Sequence, residues 1–487
     1  MANLDLQAHF AEFARNIVGF NSEIPTVNGP KPLIYADWVA SGRLYKPLEE
    51  ELLNTYGSFL ANTHTEATFT GSFMTRAYHQ AKEAIKKHVN ASDSDAIILC
   101  GSGMTGALAK LQRILGLKCP EQLHSFLDWS RIEKPVVFIT HMEHHSNQTS
   151  WLESICEVVL IPYDDAGLPD LGQFENLLIQ YQNRSLKIAS VTACSNVTGV
   201  ITPFYQIAEI IHRQGGYCFV DFACSAPYVH MDLHPENPLQ KLDAIFFSPH
   251  KFLGGPGTPG ILIFCQSLYH NHIPDQPGGG TVKWTNPWGE HHYVDSIEER
   301  EDGGTPPFYQ TIKAALAIRL KEKLDPIKIK IREEQLFNRI FDSLSDLEDV
   351  HILAGNIRHR IAAFSFFIKD LHYNLGVKLL NDRYGIQMRG GCSCAGTYGH
   401  ILFGIPIEQS HSICELIDSG DHSQKPGWIR LSIHPVMTDQ EIDYILDAIH
   451  DIRLNWRTYS GEYHYDVQQN LFFHQSELKT ELALHLV

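Results

Sequence analysis

The chain has 487 residues, of which 44% are hydrophobic and 20% are charged, and its formal net charge at pH 7 is −17. This length exceeds what one hydrophobic core usually supports, so we expect two domains of a globular protein. The negative charge argues against a nucleic-acid partner, because phosphate backbones would be repelled, and no apolar stretch reaches the roughly 18 residues that span a bilayer.

The start of the sequence and its cysteines favour a reducing compartment. Residues 1–7 lack the basic start and apolar core of a secretory signal. Ten cysteines are present, and most lie in apolar runs, where a reduced thiol behaves as a small hydrophobe. We therefore expect a cytoplasmic protein with reduced thiols.

Seven short apolar runs in the first two thirds of the chain predict buried β-strands. Several are almost continuous in Val, Ile and Phe, which suits strands that are covered on both faces. Helical patterns separate some of them, the clearest running from Pro203 to Gln214. This alternation predicts an α/β fold with a seven-stranded, mostly parallel sheet flanked by helices. The predicted strands are Ala96–Cys100, Val136–Thr140, Glu157–Ile161, Lys187–Val191, Tyr217–Asp221, Ala244–Ser248 and Gly260–Phe264.

A smaller α/β domain is predicted after Pro307. A charge-striped helical stretch runs from about Phe308 to Ser343 with an interruption at Pro326, and a helix is predicted at Asp439–Arg453. The strand-like runs between them are Ile361–Ile368, Ile386–Met388 and Ile429–Ile433. We expect an N-terminal segment (1–32) that packs with the small domain, a large domain (33–307), the small domain (308–459) and a tail (460–487).

One lysine has surroundings that indicate chemistry. Lys251 follows the run Ala244–Phe247 and is flanked by Ser248, His250 and glycines. Burial at a strand end lowers the pKa of a lysine and frees its amine to attack a carbonyl. Asp221 ends another apolar strand upstream. An aldehyde cofactor with a pyridine nitrogen needs such a pair, a Schiff-base lysine and an acid, so the two residues predict pyridoxal phosphate.

The segment Cys100–Ala107 is suited to bind a phosphate group. It contains three glycines and Thr105, follows a predicted strand and opens a helix at Ala107–Leu115. Backbone amides at a helix start bind phosphate together with hydroxyl groups. A flexible turn is the alternative for a lone glycine-rich segment, but Ser248 and His250 are further donors that favour the phosphate.

Three neighbouring histidines, His141, His144 and His145, follow the second predicted strand. Their spacing fits neither a helical pair of ligands nor a Cys/His finger, so no metal site is predicted. An imidazole at a strand end can instead lie flat on a pyridine ring, and polar loop residues are the alternative for His141 and His145. Asn196, which follows Lys187–Val191, either hydrogen-bonds a cofactor or substrate oxygen or belongs to a simple turn.

The order and spacing of these segments resemble the class V aminotransferase-fold pyridoxal phosphate enzymes, especially the cysteine desulfurase and selenocysteine lyase group. The resemblance extends from Tyr35–Ser41 to Arg430–Ile433. It implies fold type I and a homodimer with shared active sites. Lys251 would form the Schiff base, Asp221 would pair with the ring nitrogen and His144 would stack on the ring.

The resemblance also implies the remaining contacts of the cofactor. The loop around Thr305 matches one that reaches the phosphate of the partner subunit. Cys224 stands where relatives usually carry a glutamine, and a thiol is a poor hydrogen-bond donor. The further residues expected to contact the cofactor are Met104, Thr105, Asn196, Cys224, Ser248, His250 and Thr305.

Two arginines match contacts of an amino-acid substrate in this family. Arg430 matches the carboxylate clamp and Arg389 a second arginine of the active site, while Asn196 and Ala40 are the other expected substrate contacts. A guanidinium binds a carboxylate through two parallel hydrogen bonds. Surface ion pairs are the alternative for either arginine considered alone.

The loop Arg389–Gly396 determines the predicted reaction. In desulfurases a mobile loop carries a cysteine that takes sulfur from the substrate as a persulfide, and Cys394 aligns with it. Cys392 falls where many relatives have histidine, and a nearby cation such as Arg389 favours the nucleophilic thiolate. The alternatives are an inert thiol and a zinc site, although a zinc site would need a second cysteine pair.

We therefore expect a catalyst that converts L-cysteine into L-alanine and leaves a persulfide on Cys394, for which a sulfur-acceptor protein is a possible partner. Selenocysteine presents the same carboxylate and amine, so it stays open as the substrate. The alternatives are an aminotransferase, an epimerase or another lyase that does not use Cys394. A binding protein without catalysis is a further alternative, against which the intact set of Lys251, Asp221 and His144 argues.

Overall fold

A computed structural model describes residues 6–63 and 65–476; the two ends of the predicted terminal segments, 1–5 and 477–487, lie outside the described residues. No helix within the described ranges is long and apolar enough to cross a membrane. The α-helices are α1 Leu6–Ala14, α2 Lys46–Glu51, α3 Phe69–His88, α4 Met104–Ile114, α5 His145–Leu152, α6 Leu171–Gln180, α7 Phe204–Arg213, α8 Ile297–Arg300, α9 Phe308–Leu324, α10 Pro326–Ser345, α11 Tyr373–Tyr384, α12 Gly396–Phe403, α13 Ile407–Asp418 and α14 Asp439–Ser460. The strands are β1 Glu23–Ile24, β2 Lys31–Pro32, β3 Ile34–Tyr35, β4 Asp95–Cys100, β5 Val136–Ile139, β6 Glu157–Leu160, β7 Lys187–Thr192, β8 Tyr217–Asp221, β9 Ala244–Phe247, β10 Gly260–Cys265, β11 Val282–Thr285, β12 His291–Tyr293, β13 Val350–Ile352, β14 Ala363–Ile368, β15 Ile386–Gln387, β16 Arg389–Gly391, β17 Trp428–Ser432, β18 Tyr463–Asp466 and β19 Leu471–His474.

The seven predicted strands form one central sheet in the order β4-β10-β9-β8-β7-β5-β6. Strand β10 runs antiparallel to both of its neighbours, and the other adjacent pairs are parallel. The prediction of a seven-stranded, mostly parallel sheet is therefore confirmed. Six of its strands, all except β10, run in the same direction and end at one edge, which is where open α/β sheets bind their ligands.

The two faces of the sheet are covered by different hydrophobic clusters. In β4, Ile97 and Leu99 pack on one face in the same cluster as α7, whereas Ala96 and Ile98 pack on the other face with α4. Successive side chains of a strand point to opposite faces, so a strand between two layers of helices must be apolar throughout. This double covering explains the continuous apolar runs of the sequence.

A second sheet of four antiparallel strands has the order β13-β14-β17-β16. The helical stretch before it breaks between α9 and α10 as predicted, and Asp325 caps α10 by accepting hydrogen bonds from the amides of Ile327 and Lys328. The predicted strand Ile386–Met388 is shorter in the structure and lies outside this sheet, because Ile386 and Gln387 form β15, which pairs with β3 in a separate two-stranded sheet. The domain boundaries stay a prediction.

Part of the predicted tail is an ordered hairpin of β18 and β19, which follows directly on α14. The rings of Tyr465 and Phe472 stack on each other and both pack against His372, next to the start of α11. The side chain of Asn470 donates a hydrogen bond to Tyr373 Oη over 2.7 Å. The hairpin thus covers the beginning of α11, a helix that packs on β16.

Candidate active site

A cavity of about 380 Å³ lies at the carboxyl ends of the parallel strands of the central sheet. The predicted site residues that line it are Ala40, Met104, Thr105, His144, Asn196, Asp221, Cys224, Ser248, His250, Lys251, Arg389, Cys394 and Arg430. Thr305 does not lie there, because it lines a separate cavity of about 640 Å³. Its predicted role at the site of a partner subunit stays a prediction.

Lys251 and Asp221 lie at the ends of the neighbouring strands β9 and β8. Burial lowers the pKa of Lys251 below its ordinary value, and this effect outweighs the opposing influence of Asp221. A larger share of the amine is then neutral and nucleophilic at neutral pH. Burial raises the pKa of Asp221 to about 6, although its Oδ1 accepts a hydrogen bond of 2.8 Å from the amide of Ala223. The sheet thus places a nucleophilic amine and a buried acid in one cavity.

The beginning of α4 forms a cradle of hydrogen-bonding groups. The amide of Met104 donates to Ser248 Oγ over 2.9 Å, and Thr105 Oγ1 lies 2.7 Å from Ser146 Oγ. A Cβ atom on Gly103 would lie 2.8 Å from Ser248 Oγ and 3.0 Å from Cε1 of His250. Only a glycine therefore leaves this helix start open, and its amides and hydroxyls suit a phosphate group.

The three neighbouring histidines have different surroundings, and His144 is the one that lines the cavity. Its Nδ1 accepts a hydrogen bond of 3.1 Å from the amide of Ser146, and burial lowers its pKa to about 4. His144 is therefore neutral at neutral pH, with an imidazole face available for stacking. His141 packs instead between the rings of Tyr163 and Tyr398.

The loop that carries Cys394 is held against the large sheet by hydrogen bonds. Asn196 Nδ2 donates to the carbonyl of Ser393 over 2.7 Å, and the amide of His145 donates to the carbonyl of Cys394 over 2.8 Å. His145 Nε2 also accepts a hydrogen bond of 2.9 Å from the amide of Gly396. Ser393 and Cys394 adopt left-handed backbone angles, with φ of 52° and 57°, which such anchoring has to maintain.

Cys394 and Cys392 occupy different environments in this loop. Cys394 is exposed and lines the cavity, whereas Cys392 is partly buried in an apolar cluster that includes Met142, Val197 and Trp428. The thiol that faces the cavity is therefore that of Cys394. The packing of Cys392 between apolar side chains suits a small hydrophobe and not a metal ligand.

The two predicted substrate arginines share one carboxylate. Arg389 Nε donates to Asp37 Oδ2 over 3.0 Å, and Arg430 Nη2 donates to Asp37 Oδ1 over 2.6 Å. Arg430 Nη1 also donates to the carbonyl of Asn196 over 3.0 Å. Arg430 is buried, while the side chain of Arg389 remains 48% exposed. Both guanidinium groups are thereby fixed in the lining of the cavity.

Sequence reasoning assigned no role to two acids of this region, Asp37 and Glu143. Buried Glu143 accepts hydrogen bonds from Thr140, from the amide of Thr192 and from Asn147, and so connects β5, β7 and α5 beside His144. The sequence did contain a signal for Glu143, because this acid directly precedes His144. Asp37 lies within the segment that supported the family resemblance, but the sequence does not indicate its arginine partners.

Comparisons with known proteins show which proteins this chain is similar to. A probable cysteine desulfurase of Halalkalibacterium halodurans is 28% identical over 76% of this chain and 85% of its own length. A cysteine desulfurase of Thermococcus onnurineus shares the fold with a TM-score of 0.72 and 21% identity, over 91% of this chain and 98% of that one. The cysteine desulfurase CsdA of Escherichia coli superposes with a TM-score of 0.69 and 21% identity, over 92% of this chain and 98% of that one.

The resemblance predicted from the motifs, including its emphasis on cysteine desulfurases, is confirmed by these comparisons. The sequence model described as "Aminotransferase class-V" matches residues 34–445, which include every predicted site residue. That stretch begins at β3 and ends in the second turn of α14, so it includes both the seven-stranded and the four-stranded sheet. By its sequence and by its fold, the chain belongs to the aminotransferase class-V family.

Proposed function

We propose that this protein is a pyridoxal-phosphate-dependent cysteine desulfurase, which converts L-cysteine into L-alanine and holds the removed sulfur as a persulfide on Cys394. The observation that carries the proposal is the position of Cys394, whose loop is held by a hydrogen bond from Asn196 and which lines the same cavity as Lys251. The relatives named cysteine desulfurase support the same assignment. Because Cys394 is also exposed, a sulfur-acceptor protein can reach it.

The residues of the cavity fit pyridoxal phosphate, the cofactor that the family implies. The open helix start at Gly103 suits its phosphate, the buried acid Asp221 suits its ring nitrogen, and the neutral His144 suits a face of its ring. Lys251 supplies the amine for its aldehyde. When bound, this cofactor supplies an electron sink for the bond cleavage.

The residues around the substrate bind it and move its proton. Arg430 binds the α-carboxylate, and Lys251, whose neutral form is favoured by burial, takes the α-proton on its amine. Cys394 Sγ, as the thiolate, attacks the sulfur of the substrate. The new S–S bond forms as the Cβ–S bond breaks, and the electron pair of that bond passes to the substrate carbon. Protonation of that carbon, together with return of a proton from Lys251 to Cα, gives alanine, and the removed sulfur stays on Cys394 as the outer sulfur of the persulfide.

The test is to supply L-cysteine to the purified holoenzyme and to measure alanine and sulfide. We expect alanine from the unsubstituted protein and at least a hundredfold less from Cys394→Ala, because the attacking atom is lost, a change in barrier of about 2.7 kcal/mol. Cys414→Ala is the matched control, since Cys414 is also an exposed thiol but lies outside the cavity, on α13. It should retain full activity.

Other outcomes of this experiment support the alternatives. An absence of alanine from the unsubstituted protein contradicts the desulfurase assignment. Equal alanine from Cys394→Ala contradicts the role of that thiol and leaves a lyase that does not need it. A keto acid that appears with the amine form of the cofactor indicates transamination. A colourless protein that cannot be loaded with the cofactor contradicts the assignment as an enzyme and leaves a regulatory or scaffold protein.

We also propose that the enzyme is a cytoplasmic homodimer in which Thr305 faces the active site of the partner subunit. The separate position of Thr305, away from Lys251 of its own chain, supports this arrangement. All ten cysteines are free thiols, as a reducing compartment requires.

A further inference from the structure

We propose that Asp37 determines which amino acids the site accepts. By binding both arginines it neutralises one of their two positive charges, and the charge that is left can be neutralised by one anionic group. Amino acids with a neutral side chain therefore bind, and those with an acidic side chain are rejected. The inference rests on the proposed function only in requiring an amino-acid substrate whose α-carboxylate binds Arg430. It does not depend on Cys394 or on desulfuration.

The two arginines lie directly opposite each other on neighbouring strands. Arg389 and Arg430 are paired residues in the antiparallel register of β16 and β17, so their side chains lie on the same face of the sheet. Like charges in such a pair repel each other. Asp37, which pairs with Ser432 through an isolated parallel bridge, places one carboxylate oxygen on each guanidinium.

The net charge of the two arginines and Asp37 matches one carboxylate of the substrate. Two guanidinium groups and one carboxylate carry a net charge of +1, whereas two unneutralised arginines would carry +2 and favour a ligand with two acidic groups. Since Asp37 does not itself line the cavity, its effect on the substrate acts through the arginines, and it is a positioning residue.

Arg430 keeps a donor for the substrate despite its contacts. Its Nη1 and Nη2 are engaged by the carbonyl of Asn196 and by Asp37, but its Nε is buried without a hydrogen-bond partner among the described residues. A buried donor without a partner is costly, and a ligand carboxylate would relieve that cost. Arg389 is half exposed and already donates its Nε to Asp37. The structure therefore assigns the single anion position to Arg430.

The test compares L-asparagine with L-aspartate, which have nearly the same shape and differ in side-chain charge. Equilibrium binding to the holoenzyme is followed by the visible absorbance of the cofactor, in the Cys394→Ala background so that no desulfuration interferes. We expect asparagine to bind at least about tenfold more tightly than aspartate, and Asp37→Asn to shift that ratio at least about tenfold towards aspartate. When Arg389→Gln is also present, Asp37→Asn should no longer shift the ratio, because the guanidinium group that the loss of the Asp37 carboxylate would free is missing.

Asp349→Asn is the matched control, because Asp349 pairs with Arg453 over 2.8 Å outside the cavity and should leave the ratio unchanged. If Asp37 only braces the fold, Asp37→Asn weakens both amino acids equally, and the proposal is wrong. Aspartate binding as tight as asparagine binding in the unsubstituted protein also overturns it, even if Asp37→Asn does not fold. A protein that shows the expected ratio but releases no alanine from cysteine contradicts only the desulfurase assignment.

Discussion

At the scale of single residues, Glu143 is a carboxylate that the fold keeps away from water. Its oxygens accept hydrogen bonds from Thr140 Oγ1 over 2.6 Å and from Asn147 Nδ2 over 2.7 Å. Burial nevertheless raises the pKa of Glu143 from its ordinary value of 4.5 to about 7. Desolvation therefore outweighs the hydrogen bonds, and the protonated form is favoured in the folded protein.

This pKa predicts a dependence of stability on pH. Between about pH 4.5 and pH 7 the folded state holds a proton that the unfolded state has released, so the stabilisation is complete below pH 4.5 and is lost as the pH rises through about 7. The substitution Glu143→Gln replaces this carboxyl group by an amide that does not titrate, so its contribution to the pH dependence is lost. We expect the apparent Tm of the wild type to fall more steeply than that of the variant between about pH 5 and about pH 8.

Thermal unfolding of the apoprotein across this pH range measures the difference. The exposed Glu153 provides the matched substitution, Glu153→Gln, which should follow the wild-type profile. Parallel profiles for the wild type and Glu143→Gln would contradict the prediction.

Residues whose role follows from their own strand could be predicted from the sequence, whereas residues that act through a distant partner could not. Asp221 ends an apolar strand and Lys251 ends the short turn that directly follows another, so their burial and chemistry are local properties. Asp37 acts through Arg430, which lies 393 positions away along the chain. No local pattern contains such a pairing, because it arises only when the first strands pack beside the second sheet.

At the scale of elements, α4 begins where its first turn can receive a ligand. Its N-cap, Gly103, is closely flanked by Ser248 and His250, which follow β9. Met104 and Thr105 begin the helix, and Met104 is tied to Ser248. The site therefore depends on the contact between this helix start and the turn after β9.

The substitution Gly103→Ala should fill the cradle. The new methyl group would lie 2.8 Å from Ser248 Oγ, so either the hydroxyl or the helix start must move. We expect the affinity for pyridoxal phosphate to fall at least about tenfold, which corresponds to about 1.4 kcal/mol, with little loss of Tm. Titration of the apoprotein by absorbance measures this affinity.

Gly172→Ala is the control for this substitution. Gly172 lies in the first turn of α6, where a Cβ atom would meet only Asp170 at an ordinary distance of 3.5 Å. Its affinity for the cofactor should equal that of the wild type. Equal affinities for all three proteins would show that the phosphate does not bind at α4.

The elements themselves were predictable to different degrees. The strands of the central sheet are buried on both faces and therefore appear in the sequence as continuous apolar runs. The antiparallel direction of β10 leaves no such trace, because direction depends on the connection and not on composition. The hairpin of β18 and β19 was missed because its strands are only four residues long and partly exposed, and the sequence Leu-Phe-Phe-His of β19 does not alternate polar and apolar side chains.

At the scale of the whole molecule, the hairpin stabilises a region that leads into the active site. Asn470 accepts a hydrogen bond from Asn374, and a Cβ atom on Gly390 would lie 2.3 Å from Asn374 Oδ1. Gly390 is the central residue of β16, the strand that carries Arg389 and precedes the Cys394 loop. The hairpin lies beyond residue 445, the end of the family match.

We therefore expect Phe472→Ala to affect both stability and turnover. The lost packing on His372 and Tyr465 should cost about 1–3 kcal/mol and lower the apparent Tm by a few degrees. Alanine formation from cysteine should fall while the affinity for the cofactor is unchanged, because the hairpin supports β16 and not the central sheet. The exposed neighbour Leu471 gives the control variant Leu471→Ala, which should resemble the wild type. Unchanged turnover in Phe472→Ala would limit the hairpin to a role in stability.

The ion pair between Asp37 and Arg430 also has a consequence for the order of folding. The strands of the central sheet lie between residues 95 and 265, so that sheet can form while the rest of the chain is still being synthesised. The anion position cannot form at that stage, since it needs a residue near the amino terminus and another on β17. A nascent chain would therefore be able to hold the cofactor before it can select a substrate.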